Sequence, residues 1–187
     1  MTARATVAGD DRIRLFLALD VPRDVSAELA RWGRRHLTRG RVLESFHVTL
    51  AFLGAQPRSA LAPITELLCG EAAATEPFEL DVVRYRETRS VGMLVFADPS
   101  GRATSLADRV QIGLERLGVY ERERRPWLPH VTVLRFRERP RLDPPLPAVG
   151  AVAPSEAAAL LSRLHPSGAR YEVLESCPLG SAKEDET

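Results

Sequence analysis

Apolar and polar positions alternate along the chain in short blocks. Ile13-Arg14-Leu15-Phe16-Leu17-Ala18-Leu19-Asp20 is a brief apolar run closed by Val21-Pro22, the pattern of a largely buried strand. Val25, Leu29 and Trp32 follow at helical spacing, and Gly40 is the expected close of that helix. Phe46 to Leu53 predicts a second strand ended by Gly54. Leu61, Ile64, Leu67 and Leu68 predict a helix over 58–69. Phe78 to Val82 alternates like a half-exposed strand, and Val91 to Phe96 predicts another. Leu106, Val110, Leu114 and Leu117 define one face of a helix from Ala103, and His130 to Phe136 predicts a strand after Pro126 and Pro129.

The five prolines between residues 138 and 154 mark an irregular connection. Ala157-Ala158-Ala159 has helix propensity, yet Pro166-Ser167-Gly168 followed by Tyr171-Glu172-Val173-Leu174 suits a turn and return strand, so 156–164 is read as a strand. Residues 1–11 read as a flexible leader, 12–180 as one domain and 181–187 as a flexible tail. The element order allows α+β, or α/β with a mixed sheet and outer helices.

One local pattern occurs twice. His47-Val48-Thr49-Leu50 is echoed 83 residues later by His130-Val131-Thr132-Val133, an offset a little under half the chain. That spacing suits two related lobes and is too long for a solenoid repeat. On a strand His47 and Thr49 share one face, and His130 and Thr132 another, with the apolar residues opposite. If the strands face each other, a cleft holds two imidazoles and two hydroxyls. Such a set suits a phosphodiester: one imidazole takes a proton from water, the other protonates the leaving oxygen, and the threonines donate to non-bridging oxygens. Arg135 lies five residues past His130, so a regular strand turns it away; a bulge or its long side chain would bring it to the phosphate. His36 and His165 lie outside the repeat and read as surface or structural residues.

Composition adds limits. The 187 residues are 44% hydrophobic and 27% charged, the balance of a folded chain, and the formal net charge of +1 does not by itself select a nucleic-acid partner. Arginines nevertheless cluster at 31, 34, 35, 39 and 41, at 122, 124 and 125, and at 135, 137, 139 and 141. The group just before His130 has the strongest claim to border a groove for a nucleic-acid backbone, because the chain enters the cleft there. Cys69 and Cys177 show no zinc spacing and read as two reduced thiols of a cytoplasmic protein. Two histidines are too few for a closed zinc site, and no cofactor is expected. No apolar run approaches a membrane span, and no membrane partner is expected.

The repeated motifs, with Arg14-Leu15-Phe16-Leu17-Ala18-Leu19-Asp20 and Ser162-Arg163-Leu164-His165-Pro166-Ser167-Gly168-Ala169-Arg170-Tyr171, resemble the two-histidine phosphoesterases. Within them the match is to the bacterial and archaeal RNA 2′,3′-cyclic phosphodiesterases, or 2′-5′ RNA ligase-like proteins, over roughly residues 12 to 180. The resemblance implies an α+β, bilobal, duplicated fold with antiparallel sheets lining a central cleft and helices outside. It implies metal-independent hydrolysis of RNA-terminal or nucleotide 2′,3′-cyclic phosphates to 2′-phosphates by a monomer. It implies His47 and His130 as the acid–base pair, the family pattern favouring His47 as acid. Thr49, Thr132 and Arg135 would hold the phosphate, and Phe16 would lie beside the base. Leu17, where relatives often carry an aromatic residue, and the alanines at 157–159 depart from the pattern. Alternatives on the same site are 2′-5′ RNA ligation, another small cyclic phosphate, or a non-catalytic RNA-end binding module.

Overall fold

The computed structural model describes residues 12–163 and 170–180. The expected leader, the 166–168 turn, His165 and the expected tail lie outside the described residues. Nine strands are described: β1 Arg12–Leu19, β2 Arg41–Val42, β3 Val48–Pro57, β4 Leu80–Glu87, β5 Val91–Ala97, β6 His130–Arg135, β7 Ala151–Val152, β8 Glu156–Arg163 and β9 Arg170–Pro178. The helices are α1 Arg23–His36, α2 Leu61–Ala73, led by a 3-10 turn at Arg58–Ala60, and α3 Arg102–Arg116. No described helix is long and apolar enough to cross a membrane.

The strands form two sheets, one in the order β3-β1-β8-β9 and the other β2-β6-β5-β4-β7. Every described pairing is antiparallel. The α+β reading therefore holds, and the mixed-sheet option falls. The duplication lies in two strand–helix–strand units. In the first, β1 leads through α1 to β3, which pairs with β1; in the second, β5 leads through α3 to β6, which pairs with β5.

One apolar core joins both units. Leu15, Leu17 and Leu19 of β1 are fully buried with Val48 and Leu50, and so are Leu94, Val131, Leu134 and the α3 residues Leu106, Val110 and Leu114. The 157–159 alanines are also in the core, on β8 beside β1. Their small side chains suit a central strand packed against helix α2, where tertiary packing overrides helix propensity.

Several expectations are corrected. Helix α1 ends at His36, and Leu37 is already extended, so Gly40 does not close it. Gly40 is needed for another reason: a Cβ there would lie 2.6 Å from the carbonyl oxygen of Arg135. Gly54 does not end the second strand; with φ +68° it sits inside β3, which runs on to Pro57. The proline-rich connection holds a two-residue strand, β7, paired with β4, and is anchored by the buried Glu87. That carboxylate accepts from Arg139 Nε and from the backbone N–H groups of Arg141 and Leu142.

The two cysteines are not free thiols. Cys69 on α2 and Cys177 on β9 form a disulfide across a sequence separation of 108 residues. Helix α2 packs on β8 and β9, which brings the two Cα atoms to 4.8 Å, within the range a disulfide spans.

Candidate active site

The two histidine motifs share a backbone irregularity as well as a sequence. On β3, Ala18 pairs with Thr49 but Leu17 pairs with Ala51, so Leu50 is an extra residue. On β6, Met93 pairs with Thr132 but Gly92 pairs with Leu134, so Val133 is the extra residue. Each bulge falls directly after the threonine. Each reverses the alternation beyond it, so the residue five places past the histidine returns to the histidine's face. Those residues are Phe52 and Arg135. Arg135 accordingly does not turn away, and its charge acts on His47.

Both extra residues keep their carbonyls satisfied by donors from outside the paired sheet strand. Gln111 Nε2, buried on α3, donates to Leu50 O at 2.8 Å, and Leu43 N donates to Val133 O at 2.9 Å. Trp127 Nε1 donates to Thr49 O at 2.9 Å, tying the segment before the second motif to the strand of the first. Buried carbonyls without such partners are costly, so these bonds fix where the motifs bend.

His47 stands immediately before β3 and is largely enclosed. Its ring lies 4.8 Å from that of Phe16 and 5.1 Å, edge-on, from that of Tyr171. Burial, then the charges of His130 and Arg135, lower its pKa from 6.5 to about 4. Strand β3 packs against β6, and the charges of His130 and Arg135 act on His47, so the two motifs are neighbours in the fold. His130 Nδ1 donates to Leu128 O at 2.8 Å, which leaves Nε2 for a substrate. Thr49 and Thr132 are both half-buried beside their histidines.

Phe16 is 2% exposed, enclosed by His47, Phe52 and Tyr171, so its ring has no open face for a base. It forms the floor under His47. The exposed aromatic of this face is Phe52, 50% accessible, stacked toward Phe16 and capped by the Arg14 guanidinium at 5.1 Å. Phe52 was not among the residues the sequence pattern selected. The signal for it was its offset from His47, the same five residues that separate Arg135 from His130.

The arginines before His130 are largely engaged. Arg122 pairs with Asp108 at 2.7 Å and its N–H bonds Glu115, while Arg125 pairs with Glu123. Two of the three arginines of this cluster thus have carboxylate partners near the surface. Among the described residues no group of three or more His, Cys, Asp or Glu side chains is arranged to hold a metal ion.

Comparison with known proteins follows the same lines. A solved structure of TT0787 from Thermus thermophilus superposes with a TM-score of 0.78 at 25% identity, covering 91% of this chain and all (100%) of that one. Escherichia coli LigT complexed with 3′-AMP gives 0.77 at 23% identity over 90% of this chain and 99% of that one, a likeness of fold. The RNA 2′,3′-cyclic phosphodiesterase of Escherichia coli (strain K12) is 30% identical over 142 residues, covering 71% of this chain and 77% of that protein. An RNA 2′,3′-cyclic phosphodiesterase of Geobacillus stearothermophilus is 26% identical over 160 residues, 77% of this chain. That match takes in 48% of the Geobacillus protein, so the chain spans about half its length. The family model for the 2′-5′ RNA ligase superfamily matches residues 21–165, a span that holds both histidine motifs and both bulges. With fold, paired motifs and family model in agreement, the chain belongs to the 2′-5′ RNA ligase superfamily.

Proposed function

We propose that the protein is an RNA 2′,3′-cyclic phosphodiesterase that opens a terminal ribose 2′,3′-cyclic phosphate to a 2′-phosphate by two-histidine acid–base chemistry. The observation that carries this reading is the matched pair of bulged His-x-Thr strands, which pack against each other, with the charges of His130 and Arg135 acting on His47. Two relatives bearing that activity as their name support it.

In this reading water attacks phosphorus in line with the 3′-oxygen. A P–O bond to water forms, the P–O3′ bond breaks, one imidazole takes the water proton and the other protonates O3′. Thr49, Thr132 and Arg135 donate to the non-bridging oxygens, whose charge grows along the path. His130, tied through Nδ1 to Leu128, offers Nε2 to water as the base. His47 is the acid, and its low proton affinity in the free protein requires that the bound phosphate return the proton. An anion beside His47 opposes the charges of His130 and Arg135 that depress it. The base of the terminal nucleotide stacks on Phe52, with Phe16 as the floor.

The test is the position of the product phosphate, read by ³¹P NMR on a nucleoside 2′,3′-cyclic phosphate. Accumulation of the 2′-phosphate alone supports the proposal. A 3′-phosphate product would reverse the leaving oxygen and contradict it.

A further inference from the structure

A groove of about 1000 Å³ opens at the far end of β6 and shares Arg135 with the candidate active site. Its walls carry Arg39, Arg41, Arg135, Arg137 and Arg139, with Glu138 as the one acidic residue lining it. Arg135 belongs to both places: it acts on His47 and it lines the groove. A volume of this size is at the upper end for ligand pockets and exceeds the need of one phosphate group.

The groove is built by a tight approach between two backbones. The turn after α1 lays Gly40 against the carbonyl of Arg135, where any side chain would clash. Arg39 just before it holds φ 59°, a conformation unusual for a residue with a side chain. Arg41 just after it pairs in register with Arg135. A strained arginine, a required glycine and a short strand thus deliver two more cations to the edge of the site. Glu87 engages Arg139, whereas Arg39 and Arg137 have no carboxylate partner among the described residues. The exposed Phe52 is not among the residues that line the groove, and the aromatic that does line it, Phe136, is buried, so the groove offers cations and no open stacking face.

We propose that this groove is a subsite for the RNA backbone, holding the phosphodiesters immediately 5′ of the nucleotide that carries the cyclic phosphate. This rests on the cyclic-phosphodiesterase reading. Its consequence is a preference for oligonucleotide ends over free cyclic nucleotides, conferred by Arg39 and Arg137, which stand outside the acid–base machinery.

The experiment compares kcat/KM for a nucleoside 2′,3′-cyclic phosphate with that for a trinucleotide ending in the same group, in wild type and in R39Q/R137Q, across a salt series. Wild type should favour the trinucleotide by roughly tenfold or more at low salt, with a salt dependence that grows by about 0.7 in log–log slope per contacted phosphate. The variant should lose that preference and that added slope while turning over the mononucleotide as wild type does. Equal wild-type kcat/KM on the two substrates, or a preference that survives in the variant, overturns the subsite. Loss of both activities together in the variant also overturns it, since the arginines would then serve the common site. If wild type turns over neither substrate, the phosphodiesterase reading fails by itself. The groove is then judged by anisotropy of a labelled trinucleotide 2′-phosphate, whose binding R39Q/R137Q should weaken about tenfold; unchanged binding refutes the subsite. Binding of inorganic phosphate at the groove without any preference for the trinucleotide would identify a free-anion site and contradict the proposal.

Discussion

Gln111, in the middle of α3, donates its Nε2 hydrogen to the carbonyl of Leu50, the extra residue of the β3 bulge, at 2.8 Å. The bond is buried and runs between the helix of one unit and the histidine strand of the other. It therefore couples the packing of α3 to the direction in which His47, Thr49 and Phe52 point. Replacing Gln111 by Leu leaves that carbonyl without its donor. The expected cost is about 1–3 kcal/mol in chemical denaturation, with a larger fall in turnover than stability alone explains. Full activity with unchanged stability would show that the bond does not hold the bulge.

His47 makes stability depend on pH in a definite direction. Its pKa is lowered from 6.5 to about 4, so the unfolded chain binds the proton more tightly between those values. Stability from neutral His47 is fully present above 6.5 and is lost as pH falls toward 4. The loss is about 3 kcal/mol at 1.36 kcal/mol per pH unit. His47→Gln should flatten that part of the stability curve. The same titration followed by NMR should move upward when a nucleoside 2′-phosphate binds; a midpoint unmoved by the ligand would remove His47 from the phosphate site.

Phe52 and Phe16 should separate by kinetics. Phe52→Ala removes an exposed stacking face and should weaken nucleotide binding by about 1–3 kcal/mol, raising KM with little change in folding. Phe16→Ala empties a fully enclosed position and should cost about 3–5 kcal/mol of stability. Equal KM values for wild type and Phe52→Ala would place the base elsewhere.

The Cys69–Cys177 bond closes a loop of 108 residues. In the chain-entropy account such a link contributes about 2–5 kcal/mol. C69S/C177S, compared with the oxidised protein in urea, should lower the unfolding midpoint accordingly. No shift on reduction would show that the link adds nothing to the folded state.

These particulars also show how far the sequence alone reaches. The paired motifs were legible because His47 and His130 stand in near-identical apolar strands, and alternation assigns their faces. The place of Arg135 was not, because alternation counted from His130 turns it away, and only the pairing of β6 with β5 reveals the extra residue Val133. Phe52 was hidden by the same logic on β3. Strands β2 and β7, of two residues each, are too short to carry any period. Gly40 suggested a helix end, a common use of glycine, while its actual constraint is the carbonyl of a residue 95 positions away. The disulfide joins α2 to β9, elements whose packing no local pattern announces.

The most direct test of the account is turnover of an oligonucleotide ending in a 2′,3′-cyclic phosphate, in excess chelator, by wild type, His47→Ala and His130→Ala. The account predicts metal-independent turnover by wild type and a fall of roughly 10²–10⁴-fold in each variant, with each variant still folded. Turnover abolished by the chelator, or retained after loss of either histidine, would contradict it.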